Sequence, residues 1–358
     1  MAGTTEMTPA PQTDEVLFGV RDGVARIHLN RPKALNALTT EMCAAIGEQL
    51  TEWAEADEKP RAVVVSGEGK GLCAGGDIKV LRESAVSGDL AGAEEFWATE
   101  YAMNQQIADY PIPYVALMHG PVMGGGIGIS AHGSHRLVAA DAKVAMPETG
   151  IGLFPDVGAM HLLARAPREL GTHVALTGDR FNGADAVELG LADVVVPAEA
   201  LDPEAIVDRL GGGESADALV EALRGEYEQG ESALAGQAEW MERCYAGDDA
   251  AAIVERLTAE GEAGTEGAAK AAELLGTRSP LSVAATLAGL RAAAGDDLAG
   301  VLARDTKMAH GMLQSGDFAE GVRAVLIDRT NDAAWRHASI AEVPAADVEA
   351  VLAGEKLG

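Results

Sequence analysis

Two short runs rich in β-branched and apolar residues, 61–67 (RAVVVSG) and 114–120 (YVALMHG), each lead into a cluster of glycines. After the first comes GEGKGLCAGGDIKVL, and after the second PVMGGGIGIS; both end in helical patterns. Runs this short and this apolar read as strands covered on both faces, the signature of parallel strands in an α/β core. Glycine weakens a helix, so three together at 124–126 need a cause. Tight packing of helix on strand is one cause. A ligand atom approaching bare N–H groups at a helix start is the other. From the cluster alone, both stay open.

The rest of the chain fits this core. Residues 16–30 read as a hairpin about Arg21-Asp22-Gly23. Met42, Ile46, Leu50 and Trp53 are spaced as one face of a helix, with Thr40 as the expected N-cap. SHRLVAAD, KVAMPE and ADVVVP read as further strands, and residues 158–191 turn helical. Gly211-Gly212-Gly213 reads as a linker, beyond which the chain is helical. Ser279-Pro280 has the form of an N-cap followed by proline at the first helical position. The expected organisation is a disordered leader over 1–14, a core over 15–210 and a helical region over 211–358.

Composition narrows the function. The 358 residues carry 27 Lys plus Arg against 56 Asp plus Glu, a formal charge of −29. Such a surface repels nucleic acid and anionic membranes, so neither is an expected partner. No apolar run approaches the roughly 20 residues of a membrane span. Cys43, Cys73 and Cys244 are scattered and odd in number, against a disulfide framework and for a reducing compartment. With a leader that has no basic or apolar run, the expectation is a cytoplasmic protein. The glycines of 67–76 match neither GxGxxG nor a P-loop, so dinucleotide and NTP readings fail.

Two carboxylates, Glu148 and Asp156, lie in the apolar stretch AMPETGIGLFPDVGAM. Acids are costly in such surroundings unless partnered or used. Either could serve a turn locally; Asp156 could also cap a helix running from Val157.

HLNRPKALNAL, GLCAGGDIKVL and VALMHGPVMGGGIGIS resemble the enoyl-CoA hydratase/isomerase (crotonase) superfamily. The resemblance implies a spiral of ββα turns with a helical C-terminal region, and an acyl-CoA substrate. It implies an oxyanion hole from the N–H groups of Gly76 and Gly125. Lys33, Ala34 and Leu35 resemble the loop that borders CoA; Ala74, Asp77 and Ile78 resemble the segment along its pantetheine and adenine. Hydratases of the superfamily carry a carboxylate where this chain has Gly128, and that departure puts hydratase chemistry in doubt. MPETGIGLFPDVG, SPLSVAATL and DFAEGVRAVLIDRTNDAAW are instead similar to the 3-hydroxyisobutyryl-CoA hydrolase subfamily, across most of residues 15–345.

That subfamily resemblance implies thioester hydrolysis in valine breakdown, with substrate-contacting positions at Glu100, Gly125, Glu148 and Asp156. Glu148 would be nucleophile or general base, Asp156 would assist, and Glu100 would recognise the 3-hydroxyl. No metal or redox cofactor is implied, since coenzyme A belongs to the substrate. A homo-oligomer, trimer or dimer of trimers, is the superfamily's habit, and the helical region is expected to cap the site or build it. Two alternatives stay open: an enoyl-CoA hydratase or isomerase, and a non-catalytic CoA-binding protein.

Overall fold

A computed structural model describes residues 3–358. In chain order the strands are β1 (Thr8–Pro9), β2 (Val16–Arg21), β3 (Val24–Leu29), β4 (Ala62–Gly67), β5 (Tyr114–Met118), β6 (Pro121–Met123), β7 (His135–Ala139), β8 (Lys143–Ala145) and β9 (Val194–Val196). Among the described residues, β1-β2-β3-β4-β5-β7-β9 form one sheet, and β6 pairs with β8 in a second. The first three strands pair antiparallel, β2 to β3 through the two-residue turn at Asp22-Gly23, where both residues have positive φ. In the seven-stranded sheet every pair from β3 onward is parallel, with Val24 opposite Ala62, Val63 opposite Tyr114, Val115 opposite His135 and Leu137 opposite Val194. Val63, Val64, Val65, Val115 and Ala116 are fully buried, as both-face coverage of central strands requires.

The chain divides into two compact units. One takes in the chain up to Asp77, Thr99–Val144 and Phe181–Ser232; it holds the large sheet. The helix Thr40–Glu55 belongs to it and buries Met42, Ile46, Leu50 and Trp53, the stripe read from the sequence. The other takes in Ile78–Ala98, Ala145–Arg180 and Ala233–Gly358. It is helical, with a core that includes Tyr245, Leu281, Met308, Met312 and Phe318. No helix among the described residues is long and apolar enough to cross a membrane.

Several expectations need correction. The leader is not disordered from residue 3 on: Thr8 and Pro9 pair with Phe18 and Leu17, Thr5 is buried, and its N–H and hydroxyl donate to Glu204 Oε2. Residues 1 and 2, part of the same expectation, lie outside the described residues. The glycines at 211–213 do not separate domains. They end the helix Pro203–Gly211, and that helix and the next, Ala216–Glu226, belong to one unit. The expected divide at 210/211 therefore falls inside a unit. The first helix is capped by Thr39, not Thr40; the Thr39 hydroxyl accepts the Met42 N–H. Ser279 does cap Pro280–Ala293, accepting the Ser282 N–H, with Pro280 at the first helical position.

Candidate active site

In the sheet-bearing unit, the two glycine clusters meet. The segment after β4 is pinned on both sides of Gly76. Ala74 donates its N–H to Leu35 O, Leu38 donates to Gly75 O, and Asp77 donates to Leu38 O. This pattern turns the Gly76 N–H away from the loop, with no acceptor among the described residues. Gly125 opens the helix Gly125–Ala131, so its N–H is a first-turn donor with no intrahelical acceptor. A Cβ added to Gly125 would stand 3.3 Å from Gly76 N and inside van der Waals contact of Glu100 Oε1. Gly76, Gly125 and the Glu100 carboxylate are therefore neighbours.

The triple glycine now has separate causes. Gly124 has φ 49° and ψ −120°, backbone that side chains avoid. A Cβ on Gly126 would run into the carbonyl oxygen of Cys73. Tight packing thus accounts for Gly126, and Gly125 keeps a backbone N–H open. Glu100, on the helix Ala91–Ala108, is 2% exposed. Burial pushes the Cys73 thiol up to about 12; the hydrogen bond to Gly75 opposes this and the Glu100 charge adds to it.

The loop bearing Lys33, Ala34 and Leu35 is held by Asn36, fully buried with φ 57°. Asn36 accepts the Arg31 N–H and donates to Glu68 O and Gly71 O. Arg31 also donates to Asp77 Oδ2 at 2.8 Å and to Glu15 Oε1 at 2.8 Å. Lys33 and Leu35 are exposed, while Ala34, Ala74, Gly76 and Asp77 are half-buried. Asp77 therefore orients the loop through Arg31. Ile78 is half-buried too, but opens the helix Ile78–Ser87 of the other unit.

The helical unit holds Glu148 and Asp156, buried at 7% and 6% exposure. Glu148 begins the 3-10 turn Glu148–Ile151, after Pro147. The turn has no side-chain cap; the Glu148 carbonyl, not its carboxylate, accepts from Gly152 and Leu153. The turn is braced from behind. Ser279 donates its N–H to Thr149 O, and Gly152 and Gly321 press against the backbone at Asp317 and Ile151, leaving no room for a Cβ. Asp156 is not the N-cap suggested by the sequence. The helix begins at Ala159 with Gly158 as N-cap, and the Asp156 carbonyl accepts the Ala159 N–H. Gly128, where hydratases of the resembled superfamily place a second carboxylate, is buried in Gly125–Ala131. Sequence reasoning missed Asp305, a fully buried acid whose Oδ2 accepts the Gly158 N–H at 2.8 Å.

A buried parallel sheet with strand-following glycine loops that present backbone donors defines an α/β protein of the crotonase class. A model of the enoyl-CoA hydratase/isomerase family matches residues 24–352, and the chain belongs to that family of enzymes. It is 38% identical over 338 residues to the 3-hydroxyisobutyryl-CoA hydrolase, mitochondrial, of Danio rerio, covering 92% of this chain and 87% of that one. The protein of the same name from Xenopus tropicalis is 37% identical over 320 residues, covering 88% and 83%. Among solved structures, a carnitinyl-CoA dehydratase from Mycobacterium thermoresistibile superposes with TM-score 0.87 at 43% identity, covering 95% of this chain and 97% of that one. An enoyl-CoA hydratase from Rhodobacter sphaeroides superposes with TM-score 0.86 at 37% identity and the same coverage.

Proposed function

We propose that the chain hydrolyses 3-hydroxyisobutyryl-CoA to 3-hydroxyisobutyrate and CoA, in valine breakdown. The observation that carries this reading is the approach of Gly125 to Gly76 beside Glu100. Two outward backbone donors side by side suit a thioester oxygen that gains negative charge in the transition state. Glu100, next to Gly125, suits recognition of the 3-hydroxyl; a buried acceptor of this kind disfavours acyl groups that lack it.

In the proposed reaction the N–H groups of Gly76 and Gly125 polarise the carbonyl. Glu148 either attacks its carbon or takes a proton from an attacking water. In the first route an acyl–Glu148 anhydride forms as CoA leaves as a thiolate, and water then cleaves the anhydride. Asp156 orients that water or accepts its proton. Lys33, Ala34, Leu35, Ala74, Asp77 and Ile78 border the CoA moiety. Joining the two units' residues in one reaction rests on the family match, which runs through both. Thioester hydrolysis transfers no electrons, so the reading invokes no redox cofactor, and it assigns the polarising role of a metal to the backbone donors. Single turnover in labelled water, with a parallel quench in hydroxylamine, separates the routes: label in the Glu148 carboxylate or a hydroxamate captured from acyl–Glu148 supports the anhydride, and the absence of both signals contradicts it.

The relatives' names divide between hydrolase and hydratase or dehydratase. A second reading, water addition to or removal from an enoyl-CoA, is therefore carried by the structures at 43% and 37% identity. Gly128 speaks against it, because acid/base hydration uses two flanking carboxylates and a buried glycine supplies none. Glu148→Gln is the direct test of the site. It is expected to lower thiol release from 3-hydroxyisobutyryl-CoA by about 100-fold or more, and a full rate would refute the assignment. A cytoplasmic location and a trimer or dimer of trimers belong to the same reading. The first is supported by three buried free thiols, as a reducing compartment maintains, and the second by the family. Light scattering on the purified protein checks the assembly.

A further inference from the structure

Asp305 is the one acid on an otherwise apolar stripe of the helix Leu298–Ser315, between Val301 and Met308. Its carboxyl is fully buried. Oδ2 accepts the Gly158 N–H at 2.8 Å, and Oδ1 is buried with no hydrogen-bond partner among the described residues. The segment it holds is unusual. Val157 has φ 53° and Gly158 φ 72°, two successive left-handed residues directly after Asp156. A β-branched residue avoids that region, so the surroundings must enforce it. The helix beginning at Ala159 packs against Leu298–Ser315, which sets Asp305 at the base of the turn.

We infer that Asp305 is a positioning residue: by accepting the Gly158 N–H it fixes the 156–158 turn and so holds the backbone that carries Asp156, the acid used in the proposed reaction. This rests on the function proposed above and adds a residue to it. The charge state follows from the surroundings. Burial drives the Asp305 carboxyl well above the ordinary carboxylate range; the Gly158 bond opposes this, the Asp156 charge adds to it, and Arg304, next in the helix, opposes it. A proton on Oδ1 leaves Oδ2 as the acceptor and avoids two adjacent anions.

Asp305→Asn and Asp305→Ala, in the full chain, separate the possibilities. Asn keeps a neutral acceptor for Gly158; Ala removes it. Thiol release from 3-hydroxyisobutyryl-CoA is followed for both, with Tm and infrared difference spectra against wild type. The expected result is kcat within about threefold of wild type for Asp305→Asn and about 10- to 100-fold lower for Asp305→Ala, with KM little changed in either. The wild-type-minus-Asn spectrum near neutral pH should contain the carbonyl stretch of a protonated carboxylic acid. A merely structural Asp305 would lower Tm but leave kcat of the folded enzyme intact, and that result overturns the inference. So does an Asn variant as impaired as Ala, or a spectrum with only carboxylate bands. If Asp305→Ala does not fold, the Asn variant and the spectrum decide. If wild type releases no thiol, the proposed function fails, and the infrared band alone then decides whether Asp305 is the neutral acceptor.

Discussion

Neighbouring glycines in this chain are present for different reasons, and single substitutions separate them. A Cβ at 126 meets the Cys73 carbonyl, backbone that cannot step aside; a Cβ at 125 meets the end of the Glu100 side chain. Gly126→Ala is therefore expected to cost about 1–3 kcal/mol in denaturant unfolding. Gly125→Ala is expected to cost less stability but to lower kcat/KM by about 100-fold, because it crowds an oxyanion donor. Equal losses of stability in the two variants would contradict this division. Asp305 gives a second test at this scale. Unfolded, it ionises near pH 3.9, whereas burial holds the folded carboxyl well above that. From about pH 4 upward the unfolded chain releases a proton that the folded chain keeps, so this residue lowers stability as pH rises until the folded group titrates. The Tm of Asp305→Asn should rise relative to wild type across that window; a constant offset contradicts it. The sequence held a signal for Asp305 that motif reading passes over. It is a lone acid spaced four residues after Val301 and three before Met308, on an apolar helix face.

At the scale of elements, strands and helices were legible because their periods are local. The β2–β3 hairpin, β4, β5, β7 and β9, and the Ser279 cap all lie where alternation, apolar runs and turn residues put them. What was not legible depended on tertiary neighbours. Thr8–Pro9 has no strand pattern of its own and is ordered by pairing with β2. Thr39 and Thr40 are both good caps, and the choice depends on which has extended backbone; Thr39 does, with φ −105° and ψ 166°. Asp156 reads as a cap from spacing alone, but the left-handed pair at 157–158 delays the helix to Ala159. Packing among helices also sets a pH response. His173, on Leu170–Thr177, bonds Tyr245 Oη through Nδ1 at 2.9 Å and meets the Trp240 and Tyr245 rings edge-on. Burial pushes it down to about 4; Asp179 opposes this and Lys270 adds to it. Unfolded, it takes a proton near pH 6.5. As pH falls from about 6.5 to about 4, the unfolded chain binds a proton that the folded chain refuses, and stability falls by about 3 kcal/mol. His173→Asn should lose less over that range in denaturant unfolding; an identical acid loss in both proteins contradicts the assignment.

For the whole molecule, the family was legible because its motifs are backbone requirements. Gly75 and Gly124 have positive φ, and Gly125 and Gly126 meet neighbouring atoms too closely for a side chain; such needs survive wide changes in side chains. The reaction is harder to read, since it depends on which carboxylates surround the shared backbone donors. Here Gly128 removes one acid, while Glu148 and Asp156 are buried on turns that the C-terminal helices brace. The central claim is that these residues make a thioester hydrolase on a fold shared with hydratases. Its most direct test is to mix the purified protein with 3-hydroxyisobutyryl-CoA and, separately, with crotonyl-CoA, following free thiol and enoyl absorbance. Thiol release from the first, with no loss of enoyl absorbance from the second, is the expected result. Hydration of crotonyl-CoA without thiol release from 3-hydroxyisobutyryl-CoA would contradict it.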